Sequence, residues 1–385
     1  MTVSAPPLDV YSQPTLSALM PSVLASLGVA GEANRLSLPD SRHTVVLLID
    51  GLGWNLLHRH RKHAPFLAGL PGRPIRAGFP TTTATSIASL GTGLPSGSHG
   101  ITGYQSYVRE VHGILNWLSW QSGHARDERE RLVPEVAQPA PTVFERATAA
   151  GISCHSVAPS TFDGSGLTRA VLRGGAFTGI HAYGDLIAHV VTATRGGDRT
   201  LTYCYISEID TLGHIYGPGS ESWLNQLTLV DRFVENLVTD LAGTGSTVYI
   251  TADHGMVTVE DEGKIDFDAT PALSEDVVTL AGEPRCRHVH TRQGSADDVA
   301  DRWRAELGHR MWIGTRDEAL AAGLFGPAVR SEIHDRIGHV VAIAQGDVAV
   351  VRRQVESRLS ALPGQHGALT EDELLIPLLH STTAA

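Results

Sequence analysis

The sequence TVVLLIDG occupies residues 44–51 and decides the fold class. Its run of β-branched and apolar residues, Thr44–Ile49, predicts a strand that is buried on both faces. Two similar runs, Leu201–Ile206 and Thr247–Thr251, lie further along the chain, and polar residues and helical patterns follow such runs. This alternation is typical of a doubly wound α/β fold, with a mainly parallel central sheet flanked by helices.

The segment from residue 257 to residue 362 has a different pattern. Amphipathic stretches at Ala296–Leu307 and Val350–Leu359 predict helices of a separate subdomain. A chain of 385 residues also exceeds the size that one hydrophobic core usually serves. We therefore expect a catalytic core formed by residues 1–256 and 363–385, with residues 257–362 inserted as a cap subdomain.

The charge balance limits the classes of partner. Acidic residues outnumber basic ones by 41 to 30, which gives a formal net charge of −11 at pH 7. A protein that wraps nucleic acid needs a basic face, so this class is disfavoured, whereas a small nucleotide substrate is compatible with the charge. No apolar run approaches the roughly 18 residues of a membrane span, and we expect no membrane association.

The N-terminal residues and the cysteines indicate a compartment. Met1–Gln13 lacks the basic segment of a secretory signal. The cysteines, Cys154, Cys204 and Cys286, are widely spaced, match no CxxC metal pattern and cannot all pair with one another. Because this usage is typical of a reducing compartment, we expect a cytoplasmic protein.

Carboxylates and histidines follow the three predicted strands. Asp50 comes directly after the first strand, and Asp253 with His254 comes after the third. In the motif EIDTLGHIYGPG, a spacing of four places Asp210 and His214 on one side of a helical turn. Because ligands bind where the carboxyl ends of parallel strands meet, we expect these side chains to lie close together.

A late histidine, His366 in PGQHG, extends this set. Mixed carboxylate and imidazole ligands suit zinc or manganese, whereas magnesium prefers oxygen ligands. Taken singly, a strand-end Asp is more often a helix cap, and a histidine beside glycine more often has a structural role. The coincidence of three such strand ends favours a metal site, and the set divides naturally into two sites.

The stretch FPTTTATSIASLGTGLPSGSHGITGY, residues 79–104, contains the candidate nucleophile. Its cluster of Thr81, Thr82 and Thr83 precedes a helix that we predict from about Ala84 to Leu90. A helix N-terminus presents free N–H groups and the positive end of the dipole to a phosphate oxyanion. A single threonine here would more often be a simple N-cap, but the other two would then need another explanation.

Together these motifs resemble the alkaline phosphatase superfamily, and most closely its nucleotide pyrophosphatase and phosphodiesterase branch. The resemblance extends from Val45 to Gly367. The residues that match the family's metal ligands and nucleophile are Asp50, Thr83, Asp210, His214, Asp253, His254 and His366. The family's nucleophile lies nine residues before the Thr of a TG pair, here Thr92, which selects Thr83 and leaves Thr82 as the reserve choice.

The resemblance also implies two divalent metal ions and a reaction. One ion would be held by Asp210, His214 and His366, and the other by Asp50, Asp253 and His254 together with the Thr83 oxygen. Zinc is the expected metal, with manganese or another transition metal as alternatives. Two cations about 4 Å apart can stabilise the attacking and leaving oxygens of an in-line displacement. We expect hydrolysis of a phosphate diester or pyrophosphate bond through a phospho-threonine intermediate.

One position departs from the family's pattern. The family's phosphodiesterases usually place an Asn shortly after an H-G-I stretch to hold a phosphate oxygen, whereas HGITGY has Tyr104 there. Its hydroxyl could donate the hydrogen bond instead, which makes Tyr104 the candidate substrate-binding residue. Tyr107, Trp117 and Trp120 follow it and could add a wall for base stacking, although most of these aromatic residues are expected in the core. The expected partner is a small-molecule phosphoester, with a nucleotide as one candidate.

Other members of the superfamily offer alternative functions. A phosphomonoesterase would need an Arg, a Lys or a third metal near the non-bridging oxygens, which the sequence does not locate. Phosphonoacetate hydrolysis is associated with lysines, and neither Lys62 nor Lys264 lies in a site motif. A phosphomutase favours a serine nucleophile, and a non-catalytic relative usually loses some of the ligands present in this chain. The native substrate, the metal and the oligomeric state are not determined by the sequence.

Overall fold

The structure is a computed structural model that describes residues 9–123 and 125–383. The strands are β1 His43–Ile49, β2 Gly72–Arg76, β3 Gln105–Val108, β4 Gly113–Asn116, β5 Gln121–Ser122, β6 Arg126–Asp127, β7 Ser153–Pro159, β8 Ala176–Ile180, β9 Thr200–Ile206, β10 Ser246–Thr251, β11 Val257–Thr258, β12 Lys264–Asp266, β13 Val277–Glu283, β14 Cys286–Thr291, β15 Met311–Thr315, β16 Val340–Ala344, β17 Ala349–Val351, β18 Gly364–Gln365 and β19 Leu375–Thr382. The α-helices are α1 Leu19–Ser26, α2 Trp54–Arg59, α3 Pro65–Gly69, α4 Thr83–Thr92, α5 Ser96–His99, α6 Pro134–Ala137, α7 Val143–Ala149, α8 Gly166–Val171, α9 Tyr183–Thr194, α10 Glu208–Tyr216, α11 Glu221–Asp240, α12 Pro271–Ser274, α13 Ala296–Leu307, α14 Arg316–Ala321, α15 Ser357–Ala361 and α16 Glu371–Leu374.

A seven-stranded sheet forms the centre of the molecule, in the order β2-β19-β10-β1-β9-β7-β8. The neighbours β10, β1, β9, β7 and β8 run parallel, and β19 is antiparallel to both β10 and β2. The three predicted strands β1, β9 and β10 each begin one residue earlier than expected and end as predicted. Helices such as α7 and α9 pack against this sheet, which confirms the predicted fold class.

Burial explains why these strands lie at the centre. Val45–Ile49 of β1 are completely shielded from solvent, and every residue of β9 and β10 is buried. The apolar stripe of α11, including Trp223, Leu227 and Val234, is also fully buried in this core. Strands that are covered on both faces need apolar residues at every position, which is the pattern that the sequence has. Within residues 9–123 and 125–383, no helix has the length and apolar character that crossing a bilayer requires.

Residues 257–362 contain a second sheet, which packs in a second apolar cluster shared with core residues such as Phe79 and Leu374. This antiparallel sheet has the order β13-β14-β16-β15, and the predicted helix Ala296–Leu307 is present as α13. Trp303 of α13 and Met311 of β15 are fully buried in that cluster. We keep the name cap for residues 257–362. The division into core and cap stays a prediction, and residues 1–8, 124 and 384–385 of the expected core lie outside the described residues.

The predicted helix Val350–Leu359 was wrong. Ala349–Val351 forms strand β17, which pairs in parallel with β12, and only Ser357–Ala361 is helical. The Val350 backbone N–H donates to the Pro284 carbonyl oxygen at 2.8 Å, so tertiary contacts hold this stretch extended. A short apolar run fits a strand as well as a helix, and in this case the pairing with β12 decides.

A buried ion pair joins the cap to the core. The Arg285 guanidinium of the cap donates to both carboxylate oxygens of Glu373 at 2.7 Å, and both side chains are completely buried. Glu373 also accepts a hydrogen bond from the Ala368 backbone N–H at 3.0 Å. A bidentate arrangement of this kind fixes orientation as well as distance. The pair therefore fixes the position of this part of the cap beside the core.

Candidate metal centre and substrate cavity

The predicted ligands meet at one edge of the central sheet. Asp50 follows β1, Asp210 lies in the first turn of α10 after β9, and Asp253 follows β10. Because β1 lies between β9 and β10 in the sheet and runs parallel to both, these three carboxylates reach the same edge. His366 follows β18 and also lines this region.

One ligand group consists of Asp50, Asp253 and His254. The His254 Nε2 atom lies 3.6 Å from an Asp50 oxygen and 3.4 Å from an Asp253 oxygen. One ligand atom from each residue lies within 4.8 Å of the others, and all three residues are buried. This grouping coincides with one of the two predicted ligand sets.

The second group lies directly beside the first. An Asp210 oxygen is 3.5 Å from the His214 Nε2 and 3.9 Å from the His366 Nε2, and these two nitrogens are 3.2 Å apart. The His254 ring stacks on the His366 ring, with centroids 3.6 Å apart. His254 therefore also groups with Asp210 and His366 within 4.8 Å, which makes the two predicted sets contiguous.

Backbone carbonyls orient the histidine rings. The Nδ1 atoms of His214, His254 and His366 lie 2.8, 2.9 and 2.8 Å from the carbonyl oxygens of Gly364, Gly255 and Thr81, respectively. A carbonyl only accepts, so each Nδ1 is the protonated nitrogen and each Nε2 presents its lone pair. Such outer hydrogen bonds are the usual means by which proteins fix metal-binding histidines.

The carboxylates offer oxygens that no described residue satisfies. One oxygen each of Asp50, Asp210 and Asp253 is buried without a hydrogen-bond partner among the described residues. The second oxygen of Asp50 accepts from the Tyr205 hydroxyl, and that of Asp253 accepts from the Gly51 backbone N–H at 3.0 Å. Buried acceptors of this kind are costly unless a cation is close, so the donor set fits divalent metal ions.

The pKa shifts have the same origin. Burial raises the pKa of Asp50 well above its usual value, and the negative charges of Asp253 and Asp210 raise it further. Burial also raises the pKa of Asp210. Burial, followed by the charges of His254 and His214, holds the pKa of His366 well below its usual value. The cluster thus combines desolvated carboxylates with a neutral imidazole, which is the form that binds a metal.

The three threonines occupy different positions at the start of α4. Thr81 is structural, because its hydroxyl donates to the Ala368 carbonyl at 2.7 Å and accepts from the Gly367 N–H at 3.1 Å. Thr82 is the N-cap residue, and Thr83 is the first residue of the helix. The Thr83 hydroxyl lies 3.2 Å from the His254 Nε2, beside the ligand cluster.

A cavity of about 580 Å³ opens over Thr83, within the roughly 300–1,000 Å³ of small-molecule sites. We call its lining from the core the core wall, which includes Thr82, Thr83, Asp210, His214 and His366. We call its lining from residues 257–362 the cap wall, which includes Glu283, Pro284, Glu356, Arg358 and Leu359. Ligands bound at Thr83 would therefore lie between the two walls.

Tyr104 is the one aromatic residue of its predicted cluster that lines the cavity. Trp117 and Trp120 are completely buried and pack edge to face, with centroids 5.2 Å apart. Tyr107 packs against His290 of the cap, with centroids 5.4 Å apart. Trp117 and Trp120 therefore belong to the core, whereas Tyr104 and Tyr107 are only partly buried.

The sequence did not single out Glu283 or Arg358 of the cap wall. Glu283 ends β13 and is 4% exposed, and burial raises its pKa to about 7 against the hydrogen bond from the Tyr104 N–H. Arg358 lies on α15 and is the one Lys or Arg side chain that lines the cavity among the described residues. The only signal for Glu283 was an acid at the end of an apolar strand, TLAGE, and Arg358 had no signal.

Comparison with known proteins identifies relatives. The sequence profile of the type I phosphodiesterase / nucleotide pyrophosphatase family matches residues 44–369. GPI ethanolamine phosphate transferase 1 of Aspergillus oryzae (strain ATCC 42149 / RIB 40) is 34% identical over 138 residues, which are 34% of this chain. The chain spans only 13% of the length of that curated relative.

Solved structures share the fold. Murine ectonucleotide pyrophosphatase / phosphodiesterase 5 superposes with a TM-score of 0.68 at 18% identity, covering 87% of both chains. Phosphonoacetate hydrolase from Sinorhizobium meliloti 1021 gives a TM-score of 0.63 at 18% identity, covering 89% of this chain and 90% of that chain. The family match and the shared fold confirm the predicted resemblance. The chain belongs to the type I phosphodiesterase / nucleotide pyrophosphatase family, a family of phosphoric ester hydrolases.

Proposed function

We propose that this protein hydrolyses a phosphate diester or pyrophosphate bond with Thr83 as the nucleophile and two divalent metal ions as cofactors. The observation that carries the proposal is the position of the Thr83 hydroxyl, 3.2 Å from His254 in a cluster of buried carboxylates with unsatisfied oxygens. The family match over residues 44–369 supports the same reaction class.

The two contiguous groups support the assignment of the ligands to two ions. Asp210, His214 and His366 would hold one ion, and Asp50, Asp253 and His254 with the Thr83 oxygen would hold the other. When bound, such ions neutralise charge on the phosphoryl oxygens and favour deprotonation of the hydroxyl. Zinc is the first candidate, and manganese or another transition metal is compatible with the same ligands.

The residues of the chain define the steps of the reaction. The Thr83 oxygen attacks phosphorus, the bond to the leaving alcohol or phosphate breaks, and a phosphoryl ester of Thr83 forms. Water then attacks the same phosphorus, which releases the product and restores the Thr83 hydroxyl. The first turn of α4 has backbone N–H groups without intrahelical partners, and these can donate to the phosphoryl oxygens.

The substrate is proposed by class. An inactive variant of murine ectonucleotide pyrophosphatase / phosphodiesterase 5 was solved in complex with AMP and superposes with a TM-score of 0.69, which favours a nucleotide. Arg358 in the cap wall supports a second candidate function, phosphomonoester hydrolysis, because a monoester carries an additional negative charge. The predicted contact of Tyr104 with substrate stays a proposal, supported by its position in the cavity.

A paired substrate comparison tests the proposal. The protein would be loaded with zinc or manganese, and kcat/KM would be measured for p-nitrophenyl phosphate and for thymidine 5′-monophosphate p-nitrophenyl ester. We expect the diester to be preferred by at least about a hundredfold, or about 2.7 kcal/mol, and Thr83→Ala to abolish the activity. A preference for the monoester would support the second candidate, and inactivity on both esters with metals bound would contradict both.

A further inference from the structure

Glu283 is held in the cavity by its surroundings. One of its carboxylate oxygens accepts a hydrogen bond from the Tyr104 backbone N–H at 3.0 Å. Gly367 lies against its side chain so closely that an added Cβ would come within 2.5 Å of the Glu283 Cγ. The carboxylate therefore lies beside the segment that carries His366, in the same cavity as Thr83.

The other oxygen of Glu283 has no partner. This Oε1 atom is buried and has no partner at hydrogen-bond geometry among the described residues, and the Thr82 hydroxyl, which lowers the pKa of this carboxyl, brings no positive charge. The cap also contains Arg285 and Arg287, but each is 2.7 Å from a different carboxylate, Glu373 and Glu356 respectively. No basic nitrogen of a described residue lies within 4.0 Å of the Glu283 carboxylate. A buried carboxylate without a cation is costly to keep, so the missing cation is expected to come from a ligand.

A third metal ion is not the cation that this geometry favours. The two clusters that could hold a metal within the described residues do not include Glu283. Glu283 contributes a single free oxygen, whereas a metal site needs several protein ligands. A protonated amine has three N–H donors. It can be bound by one carboxylate oxygen together with neutral hydrogen-bond acceptors from other residues. The Thr82 hydroxyl and the Gln105 side chain line the same cavity and can accept the remaining hydrogen bonds.

We infer that Glu283 binds the protonated amine of an amine-bearing group on the phosphoester substrate. This inference rests on the proposed function, because it assumes that the scissile phosphate lies at Thr83 in the shared cavity. Glu283 would then be a specificity-determining residue that contacts substrate away from the reacting phosphorus. A charge-assisted hydrogen bond in a buried site gives selectivity for a cationic donor over a neutral group of the same size.

Three chromogenic diesters test this inference on the metal-loaded protein. They are the p-nitrophenyl phosphates with a 2-aminoethyl, a 2-hydroxyethyl or an ethyl group as the second ester. We expect the kcat/KM of the aminoethyl ester to exceed that of the ethyl ester by at least about tenfold, the size of one charge-assisted hydrogen bond. Glu283→Gln should reduce this ratio to about one, because the amide is isosteric but uncharged. Glu306→Gln is the control, since this exposed residue of α13 lies outside the cavity lining, and it should leave the ratio unchanged.

The outcomes separate the inference from the proposed function. Equal kcat/KM values for the three esters would overturn the inference while the diesterase activity stands, whatever the variants do. A hydroxyethyl ester as good as the aminoethyl ester would also overturn it, because charge would then not matter. If no ester is cleaved, the proposed function fails, and calorimetric titration decides the inference. Binding of 2-aminoethyl phosphate about tenfold tighter than ethyl phosphate, lost in Glu283→Gln, would support it, and equal binding would overturn it.

Discussion

Buried carboxylates on the core side and on the cap side of the cavity differ in whether they have a counter-charge. In the core wall and the cluster behind it, Asp50, Asp210 and Asp253 each keep an unsatisfied buried oxygen. On the side of the cap, Arg285 and Arg287 lie 2.7 Å from Glu373 of the core and Glu356 of the cap, whereas the buried Glu283 has no such partner among the described residues. Uncompensated charge therefore concentrates where cations would bind, and compensated charge where the structure must be held.

The carboxylate cluster of the core is therefore suited to binding metal, whereas the arginine ion pairs stabilise the structure. The core cluster is built from residues that destabilise the metal-free protein, because like charges are buried close together. The buried pairs Arg285–Glu373 and Arg287–Glu356 need no ligand, because each carboxylate already has a counter-charge. Substitutions in the two regions should therefore change the stability of the metal-free protein in opposite directions.

The largest effect is expected at the nucleophile. Thr83→Ala should reduce kcat by at least about 10⁴-fold, or about 5.5 kcal/mol, because it removes the attacking oxygen. Steady-state kinetics at saturating substrate would measure the loss, with metal content as a control. Thr82→Ala should reduce kcat by less than about tenfold, and the reverse order would identify Thr82 as the nucleophile.

The ion pair between cap and core should give the largest effect on stability. Glu373→Gln leaves the Arg285 guanidinium buried without a counter-charge, so the free energy of unfolding should fall by about 3–5 kcal/mol. Urea denaturation of the metal-free protein would measure this loss. The exposed pair Arg59–Asp372, with atoms 3.0 Å apart, provides the control, and Arg59→Ala should lower stability by less than about 1 kcal/mol. Similar losses for both variants would contradict the distinction between the two pairs.

Metal removal should affect the core and not the cap. A metal at a concentration 100 times its Kd should stabilise the protein by about 2.7 kcal/mol, and chelation should remove both this increment and the activity. Thermal unfolding with and without chelator, together with metal analysis, would check the expected two ions per chain. Full activity after complete removal of metal would exclude the proposed mechanism.

A substitution in the core cluster should stabilise the metal-free protein. Asp50→Asn removes a desolvated negative charge beside Asp253 and Asp210, and we expect a gain of about 1–2 kcal/mol without metal, with weaker metal binding. Chemical denaturation with chelator present would test the sign. Asp231→Asn is the matched control, because Asp231 accepts from the Phe66 and Leu67 N–H groups and should lose stability. A loss of stability in Asp50→Asn would show that its charge is already compensated.

The smallest effect is expected at Tyr104. Tyr104→Phe keeps the ring at the cavity wall and removes only its hydroxyl, so it should lower kcat/KM by less than about tenfold, or about 1.4 kcal/mol. Diester hydrolysis by the variant would measure the change. A loss of a hundredfold would instead assign the phenol the role of the family's Asn.

The part of the site that lies on strand ends could be predicted from sequence. Asp50 and Asp253 follow buried apolar runs, and parallel pairing brings such positions together. The family's spacing to Thr92 selected Thr83, which lies beside His254. The structure does not test the metal-binding roles themselves, which stay predictions.

The cap wall could not be predicted in the same way. Glu283 and Arg358 reach the cavity through the pairing of β13, β17 and their neighbours, which no local periodicity specifies. The predicted helix at Val350–Leu359 failed for the same reason, since a strand pairing with β12 overrides the local pattern. The local sequence around a residue gives little indication that long-range contacts will bring it to a site.

The stereochemical course at phosphorus tests the central claim most directly. A thymidine 5′-phosphorothioate p-nitrophenyl ester of defined configuration would be hydrolysed in ¹⁸O-labelled water, and the configuration of the chiral product would be determined. Attack by Thr83 followed by attack of water is two in-line displacements, so the account predicts overall retention of configuration. Inversion would mean that water attacks the substrate directly, and it would contradict the threonine nucleophile.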